Sequence, residues 1–369
     1  MMIDEYRKTI DEIDKELINL FEKRLDTVEN IVKYKQENNL KIYNKQRELE
    51  VLQKNLTRLQ NPKYTDYASD FLTAMMDISK DYQSEFMGLT ETPLSKTDII
   101  VGFQGVPGSY SEEALIKYFT DDCKTQHYTE FKDVFEALKY GYIDYGVLPI
   151  ENSTTGSITQ NFDLLKQYGY YIVGETSIKI QHHLLGISGA NTAELTKVFS
   201  HPQGFEQCTQ FLNTIPKCEQ VAYHNTAISA KFVRDSGNLQ NAAVGSIRAA
   251  QIYGLEVLEE NISNAKENVT RFIIVAKHQE SNDLCDKMTL IFSLPNVSGS
   301  LYSALNEFSN SGVNLLKIES RPVGDGSFSY YFYIDIEGNK EDATIKEAIV
   351  GVSKVVEEFK ILGCYKKNV

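Results

Sequence analysis

The chain has 369 residues, of which 42% are hydrophobic and 24% charged, and its formal net charge is −13. This length exceeds the size at which a single core stops growing, so we expect two or three domains. The negative charge argues against nucleic acid and anionic membranes as partners.

Apolar runs are short and the cysteines are scattered. A run such as FIIVA at 272–276 is far too short to span a membrane. The charged N-terminus lacks the apolar core of a signal peptide, which predicts a cytoplasmic location. The five cysteines form no CxxC pair, and the six histidines lack metal-ligand spacing. We therefore expect reduced thiols and no metal site.

Three helical patterns fill the first 87 residues. The first, at 3–38, has an apolar stripe formed by Ile10, Ile13, Leu17, Leu20, Phe21, Val28 and Ile31. At 1.5 Å per residue this helix would be roughly 50 Å long, so we expect it to pack against a partner chain. Two further helices are predicted at about 45–60 and 64–86, and the polar stretch 88–97 is predicted to be a linker.

Charged and polar residues fall in or beside the apolar stripes of these helices. They are Arg7, Arg24, Lys35, Glu48, Ser79 and Gln83. Because charges are rarely buried unpaired, there are two explanations: salt bridges or interface charges in a helical bundle, or a pocket for a dianion in its core. For several such residues on three helices, we favour the pocket.

The stretches YRKTIDEIDKELINLFEKR, KYK, NKQRE and ISKDYQ resemble the all-helical chorismate mutases, which are intertwined dimers with long first helices. The resemblance implies that Arg7 of one chain and Arg24 of the other bind the two carboxylates of chorismate. By the same resemblance, Lys35 and Gln83 would contact the ether oxygen and Glu48 would contact the hydroxyl. Ser79 would contact a carboxylate, and Arg47 would support the site.

One position departs from that family, because Asn44 stands where Asp is usual. Asn44 keeps a hydrogen-bonding group but loses a charge. The reaction itself is a Claisen rearrangement, which needs no proton transfer. A protein can therefore accelerate it by holding the folded conformer and by placing Lys35 against negative charge that develops on the ether oxygen.

Strand-like and helix-like stretches alternate from 98 to about 277, which predicts an α/β domain with largely parallel sheets. At 146–158, GVLPIENSTTGSI, a buried strand runs into Asn152 and several hydroxyl residues. Two explanations are evenly balanced from these residues alone. They are ordinary turn and cap residues, or a cradle of hydroxyl and backbone N–H groups for an anion.

Six stretches of this region resemble prephenate dehydratase. They are GFQGVPGSYSEEA (102–114), DYGVLPIENSTTGSI (144–158), FSHPQGFEQC (199–208), NTAISA (225–230), GSIRAAQIYGLEVL (245–258) and NVTRF (268–272). The resemblance implies a two-lobed fold like that of periplasmic binding proteins. Prephenate carries two carboxylates and a ring hydroxyl that leaves as water while one carboxylate leaves as carbon dioxide. The enzyme needs donors for an anion and a proton source.

With this resemblance, the anion cradle becomes the favoured explanation of 146–158. The expected substrate-binding residues are Asn152, Ser153 and Thr154, with Ser109, Ser200 and Gln203 opposite them. The resemblance implies a central role for Thr270, which we interpret as a hydrogen-bond donor or relay to the leaving oxygen. Arg271 would face the other side of the strand and is a candidate for substrate binding or for a surface ion pair. Ordinary strand propensity is the alternative for Thr270. Glu151 is either a relay partner or an N-terminal helix charge, and we favour the helix charge.

The last part, 287–365, predicts the ferredoxin-like order βαββαβ, with its second helix at 343–359. NVSGSLYSALNEF and LLKIESRP resemble the amino-acid-binding ACT modules fused to prephenate dehydratases, with GSL in place of the usual GAL. The implied phenylalanine-binding residues are Gly299, Ser300, Leu301, Glu319, Ser320, Arg321 and Pro322. A strand end and turn also explain SRPVGDG. Deletion of 287–369 is expected to leave an active enzyme that phenylalanine does not inhibit.

The predicted chain is therefore multidomain, with an all-α domain at 1–87, an α/β domain at 98–277 and an α+β domain at 287–369, and with linkers at 88–97 and 278–286. The resemblance implies a bifunctional chorismate mutase/prephenate dehydratase that is inhibited by phenylalanine, needs no cofactor and forms a homodimer or larger homo-oligomer. Two alternatives remain. One is a dehydratase with an inactive helical dimerisation domain. The other is an amino-acid sensor, against which the NVTRF and ENST stretches argue.

Overall fold

The computed structural model describes residues 2–37, 45–86, 99–120, 123–215, 218–280, 284–323 and 329–368. The chain divides into two compact units, Met1–Leu94 and Ser95–Val369. Within the described ranges, no helix combines the length and the apolar character that crossing a bilayer requires. The predicted linker 88–97 lies outside these ranges.

The first unit is helical, as predicted. Its helices are α1 (Met2–Glu37), α2 (Lys45–Leu56) and α3 (Thr65–Phe86). Val28 and Val32 are buried where α1 packs on α3. Much of the predicted apolar stripe is uncovered in the single chain, at Ile10, Ile13, Leu17, Leu20 and Ile31.

Strands and helices alternate through residues 100–276. The strands are β1 (Ile100–Gln104), β2 (Lys124–Tyr128), β3 (Tyr145–Asn152), β4 (Gly156–Ser157), β5 (Tyr171–Lys179), β6 (His183–Gly186), β7 (Lys197–Ser200), β8 (Glu219–Ala222), β9 (Asn241–Gly245), β10 (Glu256–Glu259) and β11 (Val269–Ala276). The helices are α4 (Tyr110–Phe119), α5 (Phe131–Lys139), α6 (Thr159–Tyr168), α7 (Pro202–Glu206), α8 (Thr209–Leu212), α9 (Thr226–Ser236) and α10 (Ile247–Tyr253).

These strands form two sheets, one in each of two lobes. The first sheet has the order β2-β1-β3-β11-β5 with β4 beside β3, and the second has the order β10-β6-β9-β7-β8. Both sheets are mixed rather than largely parallel. In the first sheet β11 returns from the second lobe and runs antiparallel between β3 and β5. In the second sheet β6 runs antiparallel to both β9 and β10. The two-lobed α/β architecture is confirmed.

The C-terminal part has the predicted βαββαβ order. Its elements are β12 (Lys287–Ser293), α11 (Ser300–Asn310), β13 (Leu315–Pro322), β14 (Tyr330–Glu337), α12 (Ala343–Ser353) and β15 (Glu358–Tyr365), and the sheet order is β13-β14-β12-β15. The second helix ends at Ser353 and not at Phe359 as predicted. Phe359 instead pairs with Phe292 in the sheet, so this segment is needed as a strand.

The C-terminal part shares a hydrophobic core with the first lobe. Its contribution to that core consists of Ile291, Tyr331, Tyr333, Leu362 and Tyr365. The backbones also come very close, since a Cβ at Gly363 would lie 1.9 Å from the carbonyl oxygen of Ile172. Only glycine fits at this crossing of β15 and β5.

Candidate active and regulatory sites

Four of the polar residues predicted on the helical stripes meet between α1 and α3. The Arg24 guanidinium donates to the Ser79 hydroxyl and, at 3.1 Å, to the carbonyl of Met75. Lys35 Nζ donates to Gln83 Oε1 at 3.0 Å, and Gln83 Nε2 donates to the carbonyl of Ser79 at 3.0 Å. Burial lowers the pKa of Arg24, but a guanidinium stays charged at neutral pH. The result is a half-buried pair of cations aligned by two neutral side chains.

The other residues predicted for this site lie elsewhere or outside the described ranges. Arg7 is exposed, lies 3.6 Å from Asp4 and is about 25 Å from Arg24 along α1. Arg47 is exposed on α2. Glu48 belongs to α2, but its side chain is not described, and Asn44 lies outside the described residues. A single chain therefore brings Arg24, Lys35, Ser79 and Gln83 together, but not Arg7.

Asn152 and Thr270 face each other on β3 and β11 in the first lobe. Asn152 Nδ2 donates to Thr270 Oγ1 at 2.8 Å and to Asn268 Oδ1 at 2.7 Å. Its Oδ1 accepts from the backbone N–H groups of Thr154 and Thr155 at 2.9 and 3.0 Å. Because a backbone N–H can only donate, these bonds fix the orientation of the amide. One lone pair of the Thr270 oxygen is thereby occupied, while its hydroxyl proton can be donated to another group.

The loop after β3 is tied to both lobes. Ser153 Oγ accepts from the N–H of Val269 at 2.9 Å, which holds the loop against β11. Gln203, on α7 of the second lobe, donates from Nε2 to Thr155 Oγ1 at 3.2 Å. The hydroxyl-rich stretch thus forms a turn, as one explanation predicted, and Gln203 of the second lobe lies opposite it. The binding of an anion there stays a prediction.

Ser109 and Ser200 both have local partners. Ser109 is the N-cap of α4, and its hydroxyl oxygen accepts from the N–H of Glu112 at 3.4 Å. Ser200 is fully buried at the end of β7 and donates to the carbonyl of Val244 at 3.3 Å. Their predicted contact with substrate stays a prediction.

Arg271 lies beside three carboxylates rather than beside Thr270. Its NH1 donates to Glu175 Oε2 at 3.0 Å and to Asp335 Oδ2 at 2.9 Å, and its NH2 donates to Glu151 Oε2 at 3.1 Å. Lys287 Nζ lies 2.7 Å from Glu175 and 3.3 Å from Asp335. Burial opposes ionisation of Arg271 and of Asp335, but their mutual attraction raises the pKa of Arg271 and lowers that of Asp335. A surface ion pair does not describe this buried arrangement.

Lys317 extends this group toward β4. Its Nζ lies 3.0 Å from Glu151 Oε2 and donates to Ser157 Oγ at 3.0 Å. Ser157 Oγ in turn donates to Glu319 Oε2 at 2.5 Å. Glu151 is therefore a paired strand residue and not an N-terminal helix charge. We call Glu151, Glu175, Arg271, Lys287, Lys317 and Asp335 the ionic cluster.

Two residues of the ESRP stretch contact the first lobe. Glu319 accepts from Ser157, and Arg321 pairs with Asp163 of α6 through two bonds of 2.9 and 2.7 Å. Ser320 and Pro322 alternate with them on β13 and are exposed. Gly299 has φ +85° and caps α11, so Gly299–Leu301 forms the start of that helix. The predicted regulatory residues thus lie at a helix start and along a strand that contacts the first lobe.

Three family profiles match the chain in succession. Chorismate mutase type II matches residues 6–84, prephenate dehydratase matches 101–280, and the ACT domain matches 288–353. The bifunctional chorismate mutase/prephenate dehydratase of Buchnera aphidicola is 32% identical over 98% of this chain and 95% of its own length. The chain belongs to the bifunctional chorismate mutase/prephenate dehydratase family. The family member from Neisseria gonorrhoeae is 31% identical over 98% of this chain and 96% of its own.

Three further proteins match 72–73% of this chain. Arogenate dehydratase/prephenate dehydratase 1 of Arabidopsis thaliana is 39% identical over 72% of this chain and 71% of its own. The structure of a prephenate dehydratase from Arthrobacter aurescens in complex with L-Phe is 28% identical, with a TM-score of 0.67 over 73% of this chain and 90% of that one. GqqA, described as a quorum-quenching acylase, is 31% identical, with a TM-score of 0.68 over 73% and 98% of the two chains.

Sequence reasoning missed six residues of the group around Asn152 and of the ionic cluster. Thr155 and Asn268 lie within the ENSTTGS and NVTRF stretches but were not singled out. The other four are the ionic-cluster members Glu175, Lys287, Lys317 and Asp335. A sequence signal existed for Glu175, Lys287 and Asp335, because each is a charge inside or at the edge of an apolar strand, in YYIVGET, KMTLIF and YFYIDI.

Proposed function

We propose that this protein converts chorismate to prephenate in its helical unit and prephenate to phenylpyruvate in its two-lobed region, and that phenylalanine inhibits the second reaction. Support comes from the order of the three family matches and from the two clusters of polar residues. We further propose that the protein is a homodimer. Its cytoplasmic location stays a prediction.

For the mutase reaction, the supporting observation is the cluster of Arg24, Lys35, Ser79 and Gln83. The rearrangement requires a folded dianion, and Arg24 supplies a fixed charge for one carboxylate. Lys35 and Gln83, already bonded to each other at 3.0 Å, would donate to the ether oxygen as its C–O bond breaks and negative charge grows there. These contacts favour an active mutase over an inactive dimerisation domain.

The dimer would complete the mutase site. Arg7 is too far along α1 to reach Arg24 of its own chain, so its proposed role requires a second copy. The exposed apolar side chains of α1, Ile10, Ile13 and Leu17 among them, would be covered by that copy. Exposed apolar patches of this extent mark interaction sites in soluble proteins.

For the dehydratase reaction, the observation that carries the proposal is the bond between Asn152 and Thr270. The ring carboxylate leaves as carbon dioxide, and its bonding electrons form a new ring double bond. The C–O bond to the hydroxyl breaks at the other end of the ring, and the departing oxygen takes up a proton to leave as water. Thr270, held by Asn152, would donate its hydroxyl hydrogen bond to that oxygen, with the final proton relayed through it.

Regulation by phenylalanine is supported by the position of the ESRP stretch. Glu319 and Arg321 each contact a first-lobe residue, Ser157 and Asp163 respectively. A ligand that binds beside these side chains would change contacts of the lobe that carries Thr270. Such a change in contacts is what a coupling free energy between two sites requires.

The test uses purified protein with chorismate and, separately, with prephenate. We expect consumption of both, with phenylpyruvate as the final product and inhibition by added phenylalanine. Lys35→Ala and Thr270→Val preparations control for contaminating enzymes. Turnover of prephenate alone would support the inactive-helical-domain alternative. Binding of phenylalanine without turnover of either substrate would support the sensor alternative.

A further inference from the structure

Helix α10 and the loop before α4 join the two lobes of the dehydratase region. Tyr253 OH donates to the carbonyl of Pro107 at 2.6 Å, and Ser246 Oγ donates to the carbonyl of Gly108 at 3.2 Å. Arg248 Nε donates to Glu112 Oε2 at 2.8 Å. The first-lobe partners belong to VPGSYSEE and the second-lobe partners to GSIRAAQIYG, two stretches to which the proposed chemistry gives little role. We call these six residues the interlobe clamp.

The loop is shaped for a close approach to α10. Gly108 has φ +89°, and a Cβ there would lie 3.1 Å from Ala249 Cα. Any other residue would therefore be strained and would also push the loop away from the helix. Next to it, Val106 packs against a hydrophobic cluster of the second lobe. Apolar packing and two interlobe hydrogen bonds thus act on the same five-residue loop, and the third interlobe contact is made by Glu112 on α4.

Glu112 is the charged centre of the clamp. Only 8% of this residue is exposed, and one carboxylate oxygen accepts from both Gly108 N and Arg248 Nε at 2.8 Å. The loop, helix α4 and the second lobe therefore meet at a single oxygen. A largely buried carboxylate is costly when its partner is removed, so the clamp is stable only when both lobes are in place.

The proposed dehydratase site is divided between the lobes that this clamp joins. Asn152, Thr155 and Thr270 belong to the first lobe, whereas Ser200 and Gln203 belong to the second. The bond between Gln203 and Thr155, at 3.2 Å, forms only at one separation of the lobes. Ser109, the N-cap of α4, follows directly after the clamped Gly108.

We infer that the Glu112–Arg248 pair is a positioning element of the dehydratase, which holds the lobes and the Ser109 loop at the separation that the reaction requires. This inference rests on the proposed function. Neither residue needs to touch prephenate. Their effect is geometric, and a misplacement of about 1 Å in a preorganised site can cost on the order of 100-fold in rate.

Two variants test the pair in the full-length protein. Arg248→Met removes the charge and keeps an apolar stem, and Glu112→Gln keeps an acceptor for Gly108 N–H without its charge. We expect each to lower the dehydratase kcat/KM by roughly 10- to 100-fold, with a substantial part of the loss in kcat, while mutase activity is unchanged. Lys197→Met, which removes an exposed pair with Glu219 in the same lobe, is the matched control and should change kcat/KM less than twofold.

The double variant separates positioning from general loss of structure. If the pair acts as a unit, Glu112→Gln combined with Arg248→Met should lower kcat/KM no further than the worse single variant. Additive losses, or single variants with normal kcat/KM and an unchanged melting temperature, would overturn the inference. Arg248→Lys, which keeps the charge but shortens the reach, replaces Arg248→Met if the latter is not recovered folded. Wild-type protein without activity on prephenate would instead overturn the proposed function.

Discussion

The ionic cluster predicts a large loss of stability when Lys287 is replaced by Met. The Lys287 ammonium lies 2.7 Å from Glu175, and the two side chains are 6% and 2% exposed. The cluster contains three cations and three carboxylates, so the substitution leaves one buried negative charge without compensation. Breaking a buried pair in this way costs about 3–5 kcal/mol. We expect the lower end, about 3 kcal/mol, because Arg271 still contacts Glu175 at 3.0 Å.

Thermal unfolding of the full-length protein measures this cost. A loss of about 3 kcal/mol lowers the melting temperature of a domain of 150–250 residues by roughly 6–12 °C. The matched control is Lys367→Met, which removes an exposed amine 3.4 Å from Glu337 and should cost no more than about 1 kcal/mol. Adding Glu175→Gln to Lys287→Met should recover part of the loss. If Lys287→Met melts within about 2 °C of the control, the reasoning about the buried cluster is wrong.

Four further predictions follow from the sites. Thr270→Val should lower the dehydratase kcat by about 100-fold or more while prephenate still binds; near-normal turnover in a steady-state assay would assign the proton to another group. Arg24→Ala should abolish mutase activity and leave dehydratase activity intact, and loss of both in a folded variant would contradict separate sites. Mixing Arg7→Ala and Arg24→Ala chains should restore some mutase activity, and inactive heterodimers of verified composition would contradict a site shared between chains. The pKa values of Asp335 and Glu151 are depressed below their ordinary 3.8 and 4.5, so their stabilisation is present above those values and is lost as pH falls through the folded pKa. A melting temperature that stays constant from pH 5 to about pH 3 would contradict this sign.

The helical unit could be predicted closely from the sequence because its information is local. Helical periodicity places Arg24 and Lys35 on one side of α1, and Ser79 and Gln83 lie four residues apart on α3. Two such stripes can only pack with those residues facing each other, and the structure brings them together. Arg7 shows the limit of this reasoning, since it lies on the same predicted stripe but in the single chain is exposed beside Asp4.

The pairing within the ionic cluster could not be predicted, because its partners come from distant parts of the chain. Strand alternation placed Thr270 and Arg271 on opposite faces of β11, and the structure agrees. Nothing local indicates which residues cover the face of β11 that carries Arg271. The partner of Arg271, Asp335, lies 64 residues away, and Glu175 and Lys287 are 112 residues apart. The order in which sheets pack, rather than any single strand, decides these contacts.

The shared core also changes the expected result of deleting 287–369. That expectation assumed a separable module, but Ile291, Tyr333 and Leu362 are part of the first lobe's own core. Uncovering even three buried side chains of the first lobe would cost about 4.5–9 kcal/mol, close to the whole stability of an average domain. The deletion would also leave Arg271 and Glu175 without Asp335 and Lys287. Loss of dehydratase activity after truncation would therefore report loss of the fold. The dependence of the first lobe on these C-terminal residues is also a physical basis for regulation, because a ligand that shifts β13 acts on contacts that the first lobe cannot replace.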